Sequence, residues 1–204
     1  NRWALTVAES QQPFINSWFS NFGKYYMWLV LISPIYIVYE KFRSLKAHKW
    51  IITGIFAAFI FSFIFSRYSG DSILNGSSNF SLILYIGSLI LFIVSMIVYL
   101  LYGFYIDKEV FKALNDLDKA TIFLLIWFVI TAIGARSAIR LLFIFVPVTA
   151  VLVSYILMKT FDWGLTLKEN YLKAAVVAVV GMLIFAPFVH GSLVERGRIT
   201  IDTA

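Results

Sequence analysis

Residues 120–158 read ATIFLLIWFVITAIGARSAIRLLFIFVPVTAVLVSYILM. The stretch is apolar almost throughout and is broken once, by Gly134-Ala135-Arg136-Ser137-Ala138-Ile139-Arg140. As one helix it would run about 58 Å at 1.5 Å per residue, nearly twice the roughly 30 Å of a hydrocarbon core. The chain is therefore expected to turn at Gly134-Ala135-Arg136-Ser137. That makes two membrane spans, with Arg140 in the first turn of the second.

The rest of the chain follows the same rule. Apolar runs over about 24–40, 50–66, 81–105, 120–135, 138–158 and 172–190 predict about six spans and an all-α, polytopic membrane helical bundle. No Lys, Arg, Asp or Glu falls in the middle of any of them. The composition agrees: 61% hydrophobic and 14% charged, against roughly 25% charged in soluble domains. Pro34, Pro147 and Pro187 are expected to kink their helices, which neighbouring helices make tolerable. Tyr and Trp gather near span ends, as at Tyr25, Trp28, Tyr39, Trp50, Tyr102 and Tyr105. The net charge of +6 is spread over loops and not clustered on one soluble face, which argues against nucleic acid as a partner. The absence of cysteine excludes disulfides, thiolate metal sites and cysteine nucleophiles. The chain begins at Asn1 without a signal-peptide pattern and reads as a window of a longer protein.

Sidedness follows from the basic residues. Lys41, Arg43, Lys46 and Lys49 crowd the first short loop; Lys108, Lys112, Lys119, Lys159, Lys168 and Lys173 lie in later loops on the same side. That side reads as cytosolic. Arg2, Lys24, Arg67, Arg136, Arg140, Arg196 and Arg198 fall on the other. Four spans separate Glu9 from Arg140, an even number, so the two share a face whichever face it is.

Two polar islands on that face are the candidates for chemistry. The first is Thr6-Val7-Ala8-Glu9, followed by Gln12 and Pro13 and set among Trp3, Phe14, Trp18 and Phe19, which suggests a loop lying on the membrane surface. The second holds Arg136 and Arg140. Arg140 at a helix N-terminus is placed to hold an anion, and arginine grips phosphate through a two-pronged fork. Both islands also have a plain reading, Glu9 as a solvated or capping acid and the arginines as snorkelling interfacial residues. His48, His190, Asp107, Asp116, Asp118 and the Asp162-Trp163-Gly164 stretch are weaker candidates, read as solvated or structural. Asn75-Gly76-Ser77 and Asn79-Phe80-Ser81 both match the N-glycosylation acceptor pattern.

In this order the two islands resemble the membrane domain of the catalytic subunit of oligosaccharyltransferase, a GT-C-type membrane glycosyltransferase, in its archaeal, single-subunit style. That family carries a Ser/Thr-Val/Ile-x-Glu motif in an external loop, often followed by Gln-Pro. Here it stands as Thr6-Val7-Ala8-Glu9 with Gln12-Pro13. The family also has an Arg, then aliphatic residues, then Pro seven positions on; here Arg140 leads to Pro147. The resemblance implies that Glu9 helps coordinate Mg²⁺ or Mn²⁺ and touches the acceptor Asn amide. It implies that Arg140, with Arg136 as a second ligand, binds the pyrophosphate of a lipid-linked oligosaccharide. The glycan would pass to Asn of an Asn-x-Ser/Thr acceptor polypeptide. It places the chain in the cell membrane with its active face extracytoplasmic.

The same resemblance divides the chain into an external loop over 1–23, a transmembrane helical region over 24–190 and the start of an external segment over 191–204. Spans two and three look like an inserted pair, which preserves sidedness. The family's further acidic motifs and its Trp-Trp-Asp-Tyr-Gly motif are absent from these 204 residues, so this stretch by itself is expected to be inactive. Two other readings stay open: a different polyprenyl-phosphate-dependent glycosyltransferase, and a transporter or flippase fragment. The uncharged span centres weigh against the latter.

Overall fold

The computed structural model describes residues 12–183, and those residues are helical with no β-strand. A short helix α1 (Ile15–Phe22) leads through Gly23 into α2 (Lys24–Lys41). Then come α3 (His48–Phe65), α4 (Asn79–Tyr105), a short α5 (Lys108–Asn115) and α6 (Lys119–Ser137). A 3₁₀ turn (Ile139–Leu141) opens α7 (Leu142–Leu165). The last described helix, α8, covers Asn170–Leu183.

Four of these are long and apolar enough to cross a membrane: α3, α4, α6, and α7 with its 3₁₀ turn. The other two expected spans are helices as well. α2 carries three charged residues, Lys24, Glu40 and Lys41, within its 18 positions. α8 reaches the limit of the described residues at Leu183.

The turn between the fourth and fifth expected spans lies later than the sequence suggests. Gly134 to Ser137 stay helical, and the chain breaks at Ala138, which is extended (φ −155°, ψ 142°). Backbone hydrogen bonding explains the shift. Ala138 N–H still donates to Gly134 O (3.3 Å), and the Ser137 hydroxyl donates to Ile133 O (2.9 Å). The polar residues therefore finish the helix rather than interrupt it.

α1 forms because Ile15, Trp18, Phe19 and Phe22 recur at helical spacing and give it one apolar face. It ends where Gly23 takes φ +82°, a backbone region that favours glycine. Its Trp18 packs on Phe145 of α7, with ring centroids 5.3 Å apart. Phe128 of α6 meets the same ring at 5.7 Å, and Phe145 is fully buried. Around this centre α2 touches α3 and α7, and α6 lies on α7. Phe59 and Phe63 of α3 face Phe128 and Ala132 of α6 across a shallow apolar cleft. α4 lies outside, on α3, with only 6% of its apolar window buried against 33–39% in the other three spans.

The Lys41 end of the bundle is pinned by charge. Lys159 Nζ donates to Glu40 (2.6 Å), and the Tyr155 hydroxyl donates to the other oxygen of that carboxylate. Lys41 pairs with Asp118. Asp118 also caps α6, accepting from Thr121 N–H (2.6 Å) and its hydroxyl (2.8 Å). Asp107 caps α5 in the same way, accepting from Glu109 N–H at 3.0 Å. His48 Nδ1 shares a hydrogen bond with Tyr99 (3.1 Å), and its Nε2 lies 3.6 Å from Asp107. The expectation that His48, Asp107 and Asp118 are merely solvated is therefore corrected: each has a defined partner. Asp116 is exposed and follows α5.

The Lys41 ammonium, then the Thr121 N–H and hydroxyl, hold the Asp118 carboxyl down from its ordinary 3.8 to about 2. Its stabilising contribution is full above pH 3.8 and disappears as pH falls to about 2. Thermal unfolding of wild type and Asp118→Asn is expected to differ near neutral pH and to converge at the acid limit. Phe145→Ala, which empties the centre of the core, is expected to cost about 3–5 kcal/mol in a denaturant titration in micelles.

Candidate functional site

The opposite end of the bundle is organised by the loop that joins α3 to α4. Ser66 closes α3 and Arg67 follows it. Arg67 bridges to Asn75 across the loop, and Tyr68 N–H donates to Leu74 O (2.6 Å). The Asn75 side-chain oxygen accepts from Ser77 N–H (2.9 Å) and Ser78 N–H (2.8 Å), a local turn that Asn favours. Gly76 N–H donates to Ser81 Oγ (2.9 Å), and Ser81 Oγ donates to Ser66 O. Of the two glycosylation patterns, Asn75 thus spends its amide oxygen inside the turn, while Asn79 is exposed as the first residue of α4.

Arg67 carries the loop to the N-terminal side of the chain. Its two terminal nitrogens donate to Gln12 Oε1 (3.0 Å) and Gln12 O (3.2 Å). Ile15 N–H donates to Arg67 O (3.0 Å). The guanidinium lies over Phe14, 4.5 Å from the ring centroid, with Gly76 on its other side. Burial pulls its pKa below the usual arginine range.

Arg136 reaches the same loop from α6. It is 8% exposed. Its Nη2 donates to Ser66 Oγ (2.7 Å), and its guanidinium carbon sits 3.8 Å from the centroid of Tyr85 on α4. Its Nε–H is buried with no acceptor among the described residues. Burying an unpaired cation costs several kcal/mol, whereas a cation–π contact returns about 0.5–2 kcal/mol and one hydroxyl bond about 1 kcal/mol.

Gln12, which follows the first island, is held by Arg67, and Arg136, from the second, is held by the adjacent Ser66. Thr6 to Glu9 themselves lie outside the described residues. Arg140, in the 3₁₀ turn, is exposed and has no acid within 4 Å among the described residues. Glu9 lies outside the described residues, as do His190, Arg2, Arg196 and Arg198. Gln12, three positions after Glu9, is the nearest described residue whose side chain is fixed by this end.

Among the described residues no three His, Asp or Glu side chains come together as a metal shell. Asp71 is the single acid in the segments that build this end, 12–23, 66–81 and 134–142. They offer a divalent cation no ligand set. Asp162 and Trp163 lie near the C-terminal end of α7, at the Lys41 end. Arg67 is the residue that sequence reasoning passed over. Its signal was its position directly after an apolar span, eight residues ahead of an Asn-Gly turn.

Comparison with known protein families, with characterised proteins and with solved structures finds no match to this chain.

Gly76 has φ +85°, and a Cβ there would stand 2.4 Å from Arg67 Nη1. Gly76→Ala is expected to cost at least about 1–2 kcal/mol from the left-handed backbone alone. It should also push Arg67 off Gln12, read as faster proteolysis ahead of α1 along with a lower Tm.

Proposed function

We propose that this chain is the membrane-embedded part of a GT-C-type glycosyltransferase of the oligosaccharyltransferase kind, moving a glycan from a lipid pyrophosphate donor to Asn of an Asn-x-Ser/Thr acceptor. The observation that carries the reading is Arg140: an exposed guanidinium, unpaired among the described residues, at the bundle end that also fixes Gln12. Arg67 and Arg136 at the same end are engaged internally, and Lys24 opens α2 there. Among the described residues this end carries Lys24, Arg67, Arg136 and Arg140 against the single acid Asp71, which suits a phosphate-bearing donor.

In this reading a bond forms between the acceptor amide nitrogen and the anomeric carbon as the carbon–oxygen bond to the diphosphate breaks. The amide proton passes to the lipid pyrophosphate, which leaves with the bonding pair. Arg140 takes up the negative charge that builds on the leaving group. Arg136 adds positive potential from behind the turn. Glu9 contacts the acceptor amide and is one ligand of Mg²⁺ or Mn²⁺, whose remaining ligands would come from outside the described residues. The reacting face is the extracytoplasmic side of the cell membrane, opposite the lysine-rich loops. The uncharged centres of the apolar helices favour this reading over a transporter, which needs ionisable groups at mid-membrane.

The test is transfer of a lipid-linked glycan to a fluorescent Asn-x-Thr peptide by the full protein that carries this chain. Arg140→Ala is expected to raise the donor KM roughly 10–100-fold, the worth of a charged hydrogen bond to phosphate, and to leave the acceptor KM unchanged. Glu9→Gln is expected to remove most turnover while donor binding persists. Unchanged donor dependence in Arg140→Ala would sink the clamp, and wild-type transfer by Glu9→Gln would remove Glu9 from the site.

A further inference from the structure

Arg67 and Arg136 lie on either side of Ser66, and no carboxylate among the described residues neutralises them. Arg136 is more than nine-tenths buried, on Ser66 Oγ and the face of Tyr85. Arg67 follows Ser66 directly and is held by the neutral groups of Gln12 and Phe14. Each has a buried Nε–H without an acceptor. The other charged residues of this end, among the described residues, are Lys24, Arg140 and the single acid Asp71. No carboxylate of the described residues comes within 4 Å of either arginine. A hydroxyl and an aromatic face do not offset two like charges brought together out of water. An anion does.

We propose that Arg67 and Arg136 bind the phosphate of a membrane lipid headgroup, with the Tyr85 hydroxyl as a third donor. Arginine forks match phosphate oxygens better than they match any neutral group. Tyr85 is half-buried and makes no hydrogen bond through its hydroxyl among the described residues. Beside it on α4, Leu82 and Ile86 are exposed, 42% and 50%. An acyl chain can lie along that apolar face while its headgroup sits on the pair. Arg67 is only half-buried, so it opens the pair to a ligand that Arg136 alone could not admit. The site differs from Arg140 and does not rest on the transferase reading, since it needs only the unneutralised charge.

The experiment uses the full protein that carries this chain, purified in a neutral detergent, with native mass spectrometry and thermal unfolding as readouts. Phosphatidylglycerol, phosphatidylcholine and inorganic phosphate are titrated separately. Phosphatidylglycerol is expected to stay bound and raise Tm. Arg67→Gln is expected to weaken that binding roughly tenfold and to remove the lipid-dependent rise in Tm, whatever its effect on the lipid-free Tm. A purely structural arginine would lower the lipid-free Tm and leave the lipid-dependent rise intact. Tyr85→Phe keeps the ring and should weaken binding less, and it serves as the test if Arg67→Gln does not fold. An equal Tm rise with inorganic phosphate alone would keep the anion site and assign its source to free phosphate. No shift with any of the three, together with a lower Tm in Glu9→Gln, would overturn the proposal and make the chain's own carboxylate the counter-ion.

Discussion

The bond from Arg136 to Ser66 closes the seam on which the bundle depends. α3 and α6 face each other through Phe59, Phe63, Phe128 and Ala132 along a shallow cleft, without the broad contact that joins α6 to α7. In lipid there is no hydrophobic force to press such surfaces together, so packing and a few polar bonds decide the association. Arg136 supplies one at the end of the cleft. Because Ser66 also accepts from Ser81 through its carbonyl, and Tyr85 lies under the guanidinium, the one side chain ties α6 to both α3 and α4.

The other end is held by a different chemistry. Glu40 joins α2 to α7, Lys41 joins α2 to the cap of α6, and His48 joins α3 to the ends of α4 and α5. There Lys41, His48 and Lys159 each lie against an acid. At the Arg140 end Arg67 and Arg136 meet hydroxyl, amide and aromatic groups instead. The two ends thus differ in how their held cations are partnered, with an apolar middle between them.

Hydropathy made the helices legible, because a run of apolar residues too long for one crossing must turn. It did not locate the turn. The residues that looked like a break, Gly134 to Ser137, keep their helical bonds, and only the backbone of Ala138 leaves the helix. The short helices α1 and α5, of 8 residues each, are too brief and too mixed in polarity to register as spans by hydropathy, although each turns one apolar face to the longer helices. Asp107 and Asp118 looked like solvated acids because capping is visible only once the helix start is known. Arg136 could not be read as buried, since its partner Ser66 is 70 positions away.

Counting spans treated the basic residues of this end as equivalent. They are not. Arg67 is spent on Gln12, Phe14 and the loop; Arg136 is spent on Ser66 and Tyr85; Arg140 touches no acid among the described residues and is exposed. A guanidinium already committed to neutral partners fixes geometry, and its field still acts on whatever lies beyond. One left exposed on a rigid turn can move its charge onto a ligand at little cost in reorganisation. Arg67 and Arg136, held by neutral partners, leave their positive charge in the field of this end, and that field extends to the exposed turn that carries Arg140.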